Sequence, residues 1–405
     1  MEAFPVEDGG RLAVVLRDPG DPEIAPVALS EAAVEILRLL DGSRTAGEIA
    51  AGLQLRGATG VSAAHVQAFL EHLDQVGYLE GPRARRRLEQ RQQRFRALPV
   101  RPAVHAGGAY PGDLADLPAF LASGYLHADG PGALPGARPA AAEPLRAVIA
   151  PHVDLHRGAP TYSWAYRALA EAQPADLYLV LGTCHTPLEG DFAGTRKSYD
   201  TPLGAVPTDV GFLERVQRLW GHDLFEGEFS HAAEHSIEFQ AVYLRSLGLA
   251  GENAAAMVPI LCGSLHSMVM DPYSPRDVAL VADFVGSLRE AMKEDGRRIT
   301  LLAAVDLAHV GPRFGDDWHA DRQRMERVGQ DDREMLDYVL AGEAEQYYYQ
   351  VMRDEDARRI CGFTPIYLLT ELMGAEGRRG ELLRYTQWVA DDYSSSVTFA
   401  SAIFR

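Results

Sequence analysis

Four short, strongly apolar runs, AVIAPH, DLYLVLGT, AAAMVPIL and ITLLAAVDL, are separated by helix-patterned stretches such as PTYSWAYRALAEA and SPRDVALVADFVGSLREAMK. Short apolar runs without polar alternation are what strands buried on both faces require. Their alternation with helices predicts an α/β fold. In an open α/β sheet, neighbouring parallel strands present their carboxyl ends along one edge, so residues at equivalent strand ends converge there. Three β-type runs end in a histidine: LRAVIAPH at His152, LYLVLGTCH at His185 and LLAAVDLAH at His309. One histidine at a strand end is ordinarily a packed or capping residue, but three in the same setting predict a metal site. Asp306, three residues before His309, and Cys361, which opens CGFTPIYLL, add a carboxylate and a thiolate to the imidazoles.

With 405 residues the chain exceeds one ordinary core, so two domains are expected. At 47% apolar and 24% charged the composition is that of a soluble globular protein. No window approaches the roughly 18 uninterrupted apolar residues of a spanning helix. The N-terminus, MEAFPVEDGGRL, is mixed in charge and unlike a secretory signal, which points to the cytoplasm. A net charge of −18 argues against a general nucleic-acid or anionic-membrane surface. Cys184, Cys262 and Cys361 are too few for a disulfide framework or a four-cysteine zinc site, and no CxxxCxxC pattern for an iron–sulfur cluster occurs.

The chain divides into residues 1–80, a linker at 81–100 and a larger domain at 101–405. In the first part, Ser30 is placed to cap EAAVEILRLL, which Asp41-Gly42 stops. Thr45 and Glu48 form a capping box, and Ser62 opens a third helix that Gly77 ends. Three short helices followed by a β-type tail at Tyr78-Leu79 predict a winged-helix-like module. Through VALSEAAVEILRLLDGSRTAGEIAAGL, residues 25–80 resemble the PqqD-like domains, the peptide-recognition elements of ribosomal peptide modification. That resemblance implies a leader peptide bound as an added strand; a packing or dimerisation module is the alternative. Arg83, Arg85, Arg86, Arg87, Arg91, Arg94 and Arg96 follow in GPRARRRLEQRQQRFRAL, expected as a charged helical linker because aromatic residues that would stack on bases are nearly absent. ADGPGALPGARPAAAEP, at 128–144, reads as a surface loop, and TQWVADDYSSSVTFASAIF as one further β-type run.

Six motifs lie in register along the larger domain: HAGGAYPGD, APH at 150–152, GTCHT at 182–186, EHSIE at 234–238, VDLAH at 305–309, and CG followed by Pro at 361–365. In order and spacing they resemble the MEMO-like family, whose bacterial members are labelled protein B of the AmmeMemoRadiSam system. The resemblance implies a fold similar to class III extradiol dioxygenases, which hold Fe(II) near strand ends and activate O2, and a radical-type partner enzyme. It makes His152, His185 and Cys361 the metal ligands and His309, with Asp306 beside it, a proton-handling group. Thiolate ligation favours iron(II), copper(I) or zinc over magnesium or calcium. Glu234 and Glu238 stand four apart and would share one helix face, either solvated or, as the motif match favours, lining the pocket, where Glu234 or His235 would orient a ligand or bound water. Cys184 is expected to point away from His185 into the core.

After His152 the chain reads PHVDLHRG where the family usually has a PHAGY-like turn. In an extended segment His152, Asp154 and His156 would share one side, making Asp154 and His156 additional ligands. The alternative has Asp154 capping the next helix and His156 at the surface. The leading expectation is a metal-dependent redox enzyme, with Fe(II) ahead of copper or zinc, acting on a peptide or small molecule delivered by the N-terminal module. A non-catalytic metal- or peptide-binding protein and a zinc-dependent hydrolase are the alternatives.

Overall fold

The computed structural model describes residues 2–8, 11–18, 21, 23–270, 272–390 and 394–405. They form two compact units, Met1–Ala97 and Leu98–Arg405.

The first unit pairs a three-stranded antiparallel sheet, β1 (Glu2–Asp8), β2 (Arg11–Arg17) and β3 (Val27–Leu29), with helices Glu31–Leu37, Ala46–Leu55, Ala63–Val76 and Pro82–Ala97. The expected caps are in place. Ser30 Oγ accepts from Ala33 N–H, Thr45 and Glu48 close their reciprocal box, Ser62 Oγ accepts from His65 N–H, and Gly77 ends its helix at φ +95°. The first helix stops at Leu37, earlier than Asp41-Gly42, because Leu39 and Leu40 turn inward onto the core. Tyr78-Leu79 is not a strand. Tyr78 is buried, and its hydroxyl donates to Leu16 O and Ala25 O, tying the chain after the third helix to the sheet that β1–β3 supply. In the arginine-rich helix, Arg87 and Arg91 each lie 3.1 Å from Asp21, and Arg94 lies 2.7 Å from Glu23. These cations serve the unit's own carboxylates.

The second unit opens with β4 (Val100–Arg101), which pairs with β8 (Ser198–Tyr199). Its main sheet contains β5 (Ala147–Ala150), β6 (Leu177–Thr183), β7 (Phe192–Gly194), β9 (Ala256–Cys262), β10 (Ile299–Ala304), β11 (His309–Val310), β12 (Gly380–Val389) and β13 (Ser396–Phe404), in the order β11-β13-β5-β10-β6-β9-β7 with β12 on the outside of β13. β5, β10, β6 and β9 run parallel; β7 and β13 are antiparallel to their neighbours. The closing run is thus two strands, the Asp391–Tyr393 connection lying outside the described residues. Alternate residues of the parallel strands enter opposite layers. Leu177, Leu179, Leu301 and Val258 pack with helices Ala279–Asp295 and Phe363–Ala375; Tyr178, Val180, Leu302 and Met257 pack with helices Leu155–Glu171 and Ser236–Ser246. Burial on both faces explains why these strands are apolar throughout. Residues 128–144 run without helix or extended strand. Among the described residues no helix is long and apolar enough to cross a membrane.

The site follows from register. Ala304 at the end of β10 lies opposite both Ala150 of β5 and Gly182 of β6, and Thr183 lies opposite Cys262. His152, His185 and Asp306 therefore leave the same edge side by side. His309 does not end a parallel strand. Val305–Ala308 is buried but irregular, and His309 begins β11, which runs antiparallel to β13.

Candidate metal centre

Each ligand candidate is held by a group that also fixes which ring nitrogen faces inward. His152 Nδ1 lies 2.9 Å from Ala304 O; a carbonyl only accepts, so Nδ1 carries the proton and Nε2 keeps its lone pair. His185 Nδ1 lies 3.1 Å from both oxygens of Glu234, which also accepts His185 N–H at 2.9 Å. Both Nε2 atoms face Cys361 Sγ at 3.2 Å. The three ligand atoms all lie within 4.8 Å of one another, a span that one cation with bonds of about 2.0–2.3 Å reaches.

Cys361 arrives from a different kind of element. The loop before it holds three non-glycine residues in the left-handed region, Glu355, Asp356 and Arg359, at φ of 56°, 53° and 52°. Cys361 N–H then donates to Leu307 O, and Gly362 N–H to Asp306 O. Gly362 is required by that approach: a Cβ there would stand 2.4 Å from Val305 Cβ and 2.9 Å from Asp306 O.

Glu234, His185 and His235 also bring ligand atoms within 4.8 Å. The Glu234 carboxylate, however, already accepts the backbone N–H groups of His185, His235 and Ser236. It is a fixed orienting carboxylate behind His185. The His235 ring stacks on His185 at 4.6 Å between centroids and lies 5.3 Å from His152, so it walls the pocket. Glu234 and Glu238 do not share a helix face. Glu234 precedes the helix, which starts at Ser236, and Glu238 is fully buried against Arg101.

Asp306 Oδ1 accepts the N–H groups of His152 and Val153, and Oδ2 lies 3.7 Å from His152 Nε2. His309 Nδ1 donates to Leu307 O at 3.1 Å, its ring packs edge-on to Phe314, and it is not one of the mutually close ligand residues. Asp154 and His156 are not brought to the site. The chain turns into a helix at Leu155, Asp154 caps it by accepting Arg157 N–H, and His156 packs on Phe120 at 5.0 Å. The extended segment that would align them with His152 does not form. Cys184 packs partly against the core, its thiol toward Thr186 O, and also borders the cleft beside Cys361.

Burial raises the Cys361 thiol, but the His152 and His185 imidazoles outweigh it and bring the pKa down to about 7. Burial opposes charge on His185, yet Glu234 and Cys361 hold its pKa well above the usual histidine value; Glu234, despite burial, is held well below its own by His185 and His235. Burial pushes Asp306 up to about 6 and His309 and His235 down. Without a cation, the set is thus a carboxylate, an imidazolium and a thiolate in line. In chelated protein, iodoacetamide labelling of Cys361 should rise with pH and level off above about 7, since the thiolate is the nucleophile. Cys184, whose pKa burial raises, should label only at higher pH; peptide mass spectrometry separates the two, and equal profiles would contradict the pairing.

A second buried network, invisible to strand-end reasoning, braces this site. Arg101, at 0% exposure, pairs with Glu238, and its guanidinium also donates to the carbonyls of His231 at 2.9 Å and Glu234 at 2.7 Å. Tyr110 OH and His105 N–H donate to the same Glu238 carboxylate, and the His105 ring lies edge-on to His235. His105 and Tyr110 lie within HAGGAYPGD, so that motif supplies braces behind the ligands.

The pattern of the Memo-like protein family matches residues 101–403, and that of coenzyme PQQ synthesis protein D matches residues 14–79. A MEMO1 family protein of Aquifex aeolicus is 24% identical over 394 residues, covering 96% of this chain and 95% of the relative. One from Methanopyrus kandleri is 30% identical over 311 residues, covering 75% of this chain and 98% of its own length. Another, from Methanococcus maripaludis, is 27% identical across its whole length and covers 76% of this chain. With that match over the second unit, the chain belongs to the Memo-like family, whose dioxygenase-like α/β fold this unit adopts.

Proposed function

We propose that the second unit is a metal-dependent oxidoreductase that holds a divalent iron through His152, His185 and Cys361. The supporting observation is the facing of two Nε2 atoms and one thiolate-prone sulfur, with both imidazoles held from behind through Nδ1. Iron bound there supplies a redox-active Lewis acid able to take further ligands in its open positions. Glu234 and Ala304 O orient the two imidazoles, His235 excludes water from one side, and His309 with Asp306 handles protons next to the ligands. Copper(I) or zinc suits the same donors. A reducing cytoplasm, the compartment we assign to the chain, keeps Cys361 a thiol or thiolate.

The substrate is a peptide or small molecule. β3 is a three-residue strand that, among the described residues, pairs on one side only with β2, and the PQQ synthesis protein D match covers it. We assign to it the addition of a leader peptide as a further strand, and to a radical-type enzyme a place beside this chain.

Anaerobically purified full chain should carry about one iron per chain by mass spectrometry and consume oxygen with the cognate peptide present. Zinc alone with oxygen-independent hydrolysis would replace this reading with a hydrolase. One bound metal with no turnover toward peptides or catechols would leave a metal-binding protein.

A further inference from the structure

One imidazole outside the ligand set shares a cleft with Cys361 and is held in the arrangement of a proton acceptor. His266 and Asp356 both line a cleft of about 440 Å³ that runs from the carboxyl ends of β6 and β9 to Cys361. Asp356 Oδ2 lies 3.0 Å from His266 Nε2, and Oδ1 accepts Ile360 N–H at 2.8 Å, so the carboxylate is fixed at both oxygens. A carboxylate only accepts; Nε2 therefore carries the ring proton, and Nδ1 keeps a lone pair that no group among the described residues engages. The carboxylate is 8% exposed and the imidazole 41%, a buried orienting group behind an open acceptor. Asp356 reaches this position only through a left-handed backbone at φ 53°, an arrangement that persists where surrounding structure enforces it.

The rest of the cleft limits what fits. The Phe363 ring stands 5.3 Å from the His266 ring, with Tyr348 stacked behind it, giving flat apolar support. Arg359 is engaged by Asp316, and the wall also carries the carboxylates of Asp356 and Glu355. A molecule that arrives neutral and ionises in place suits such a wall better than a ready-made anion.

We propose that His266, oriented by Asp356, accepts the proton of an acidic hydroxyl group on the molecule that enters this cleft. The proposal rests on the metal-centre reading only in placing that hydroxyl beside the metal. The substrate O–H bond breaks, an N–H bond forms at Nδ1, the electron pair stays on the substrate oxygen, and Asp356 balances the resulting imidazolium.

The test uses the full chain, metal-loaded and separately stripped by a chelator, with 4-nitrophenol as the probe and 4-nitroanisole as the ether that lacks the hydroxyl. Bound 4-nitrophenol should show its phenolate band, in both metal states, at a pH where the free phenol is protonated. The ether should bind roughly tenfold more weakly or worse, and Asp356→Asn should weaken the band. His266→Phe should abolish the band with melting temperature and metal content unchanged. A band that survives in His266→Phe, or absence of probe binding, overturns the proposal. A band seen only in the metal-loaded chain assigns the deprotonation to the metal, overturning the role of His266 while leaving the metal centre intact. A His266-dependent band in a chain that takes up no metal supports this role and removes the metal reading.

Discussion

Exchanging Cys361 for alanine should empty the metal centre. Two imidazoles remain, both still oriented from behind by Ala304 O and Glu234, but the anionic donor that faces them at 3.2 Å is gone. Affinity for iron or zinc should fall by more than about a hundredfold, beyond the roughly 10- to 100-fold typical of losing an orienting partner. Glu234→Gln gives that smaller loss for comparison, because it leaves all three donor atoms in place. Chelator competition with metal read by mass spectrometry measures both. Unchanged stoichiometry in Cys361→Ala, or an equal loss in the two variants, would sink the ligand assignment.

The second large effect concerns stability. Arg101→Met leaves the Glu238 carboxylate fully buried with only Tyr110 and His105 N–H to satisfy it, and strips the carbonyls of His231 and Glu234 of their donors. Breaking a buried pair from one side costs about 3–5 kcal/mol. Adding Glu238→Gln removes the stranded charge and should recover much of that loss, while the two carbonyls stay unpaired. Urea unfolding of the two variants, compared at equal metal saturation, reads the difference. A loss below about 1 kcal/mol for Arg101→Met would mean that water reaches Glu238 and that the pair is not a brace.

Strand-end reasoning reached His152 and His185 because β5 and β6 are uninterrupted apolar runs whose ends fall level across β10. It misplaced His309 because apolarity reports burial, not extension: Val305–Ala308 is buried beyond the end of β10 yet irregular, and apolar runs do not distinguish the two. The extra ligands at Asp154 and His156 fell to ordinary capping chemistry, since an aspartate just before a helix satisfies the first free N–H groups of that helix. The pairing of β1 with β2 left a weak signal, the residues Asp-Gly-Gly in the sequence between two short apolar-alternating runs, and the opening segment reads as helical without it. Arg101 left none. A lone arginine has no period, and its partner Glu238 stands 137 positions further along the chain. Cys361 was legible through its motif alone, because a loop of left-handed residues, not a strand, delivers it.

That late delivery of Cys361 orders events during synthesis. The histidines emerge from the ribosome 209 and 176 positions ahead of Cys361, so a growing chain offers the two imidazoles before the thiol that faces them. Domains fold as units once their sequence is complete. With the proposed ligand set, a metal that demands all three donors would be captured only after Cys361 has emerged, and would cinch a loop longer than half the protein, tying its loading to the completion of the fold.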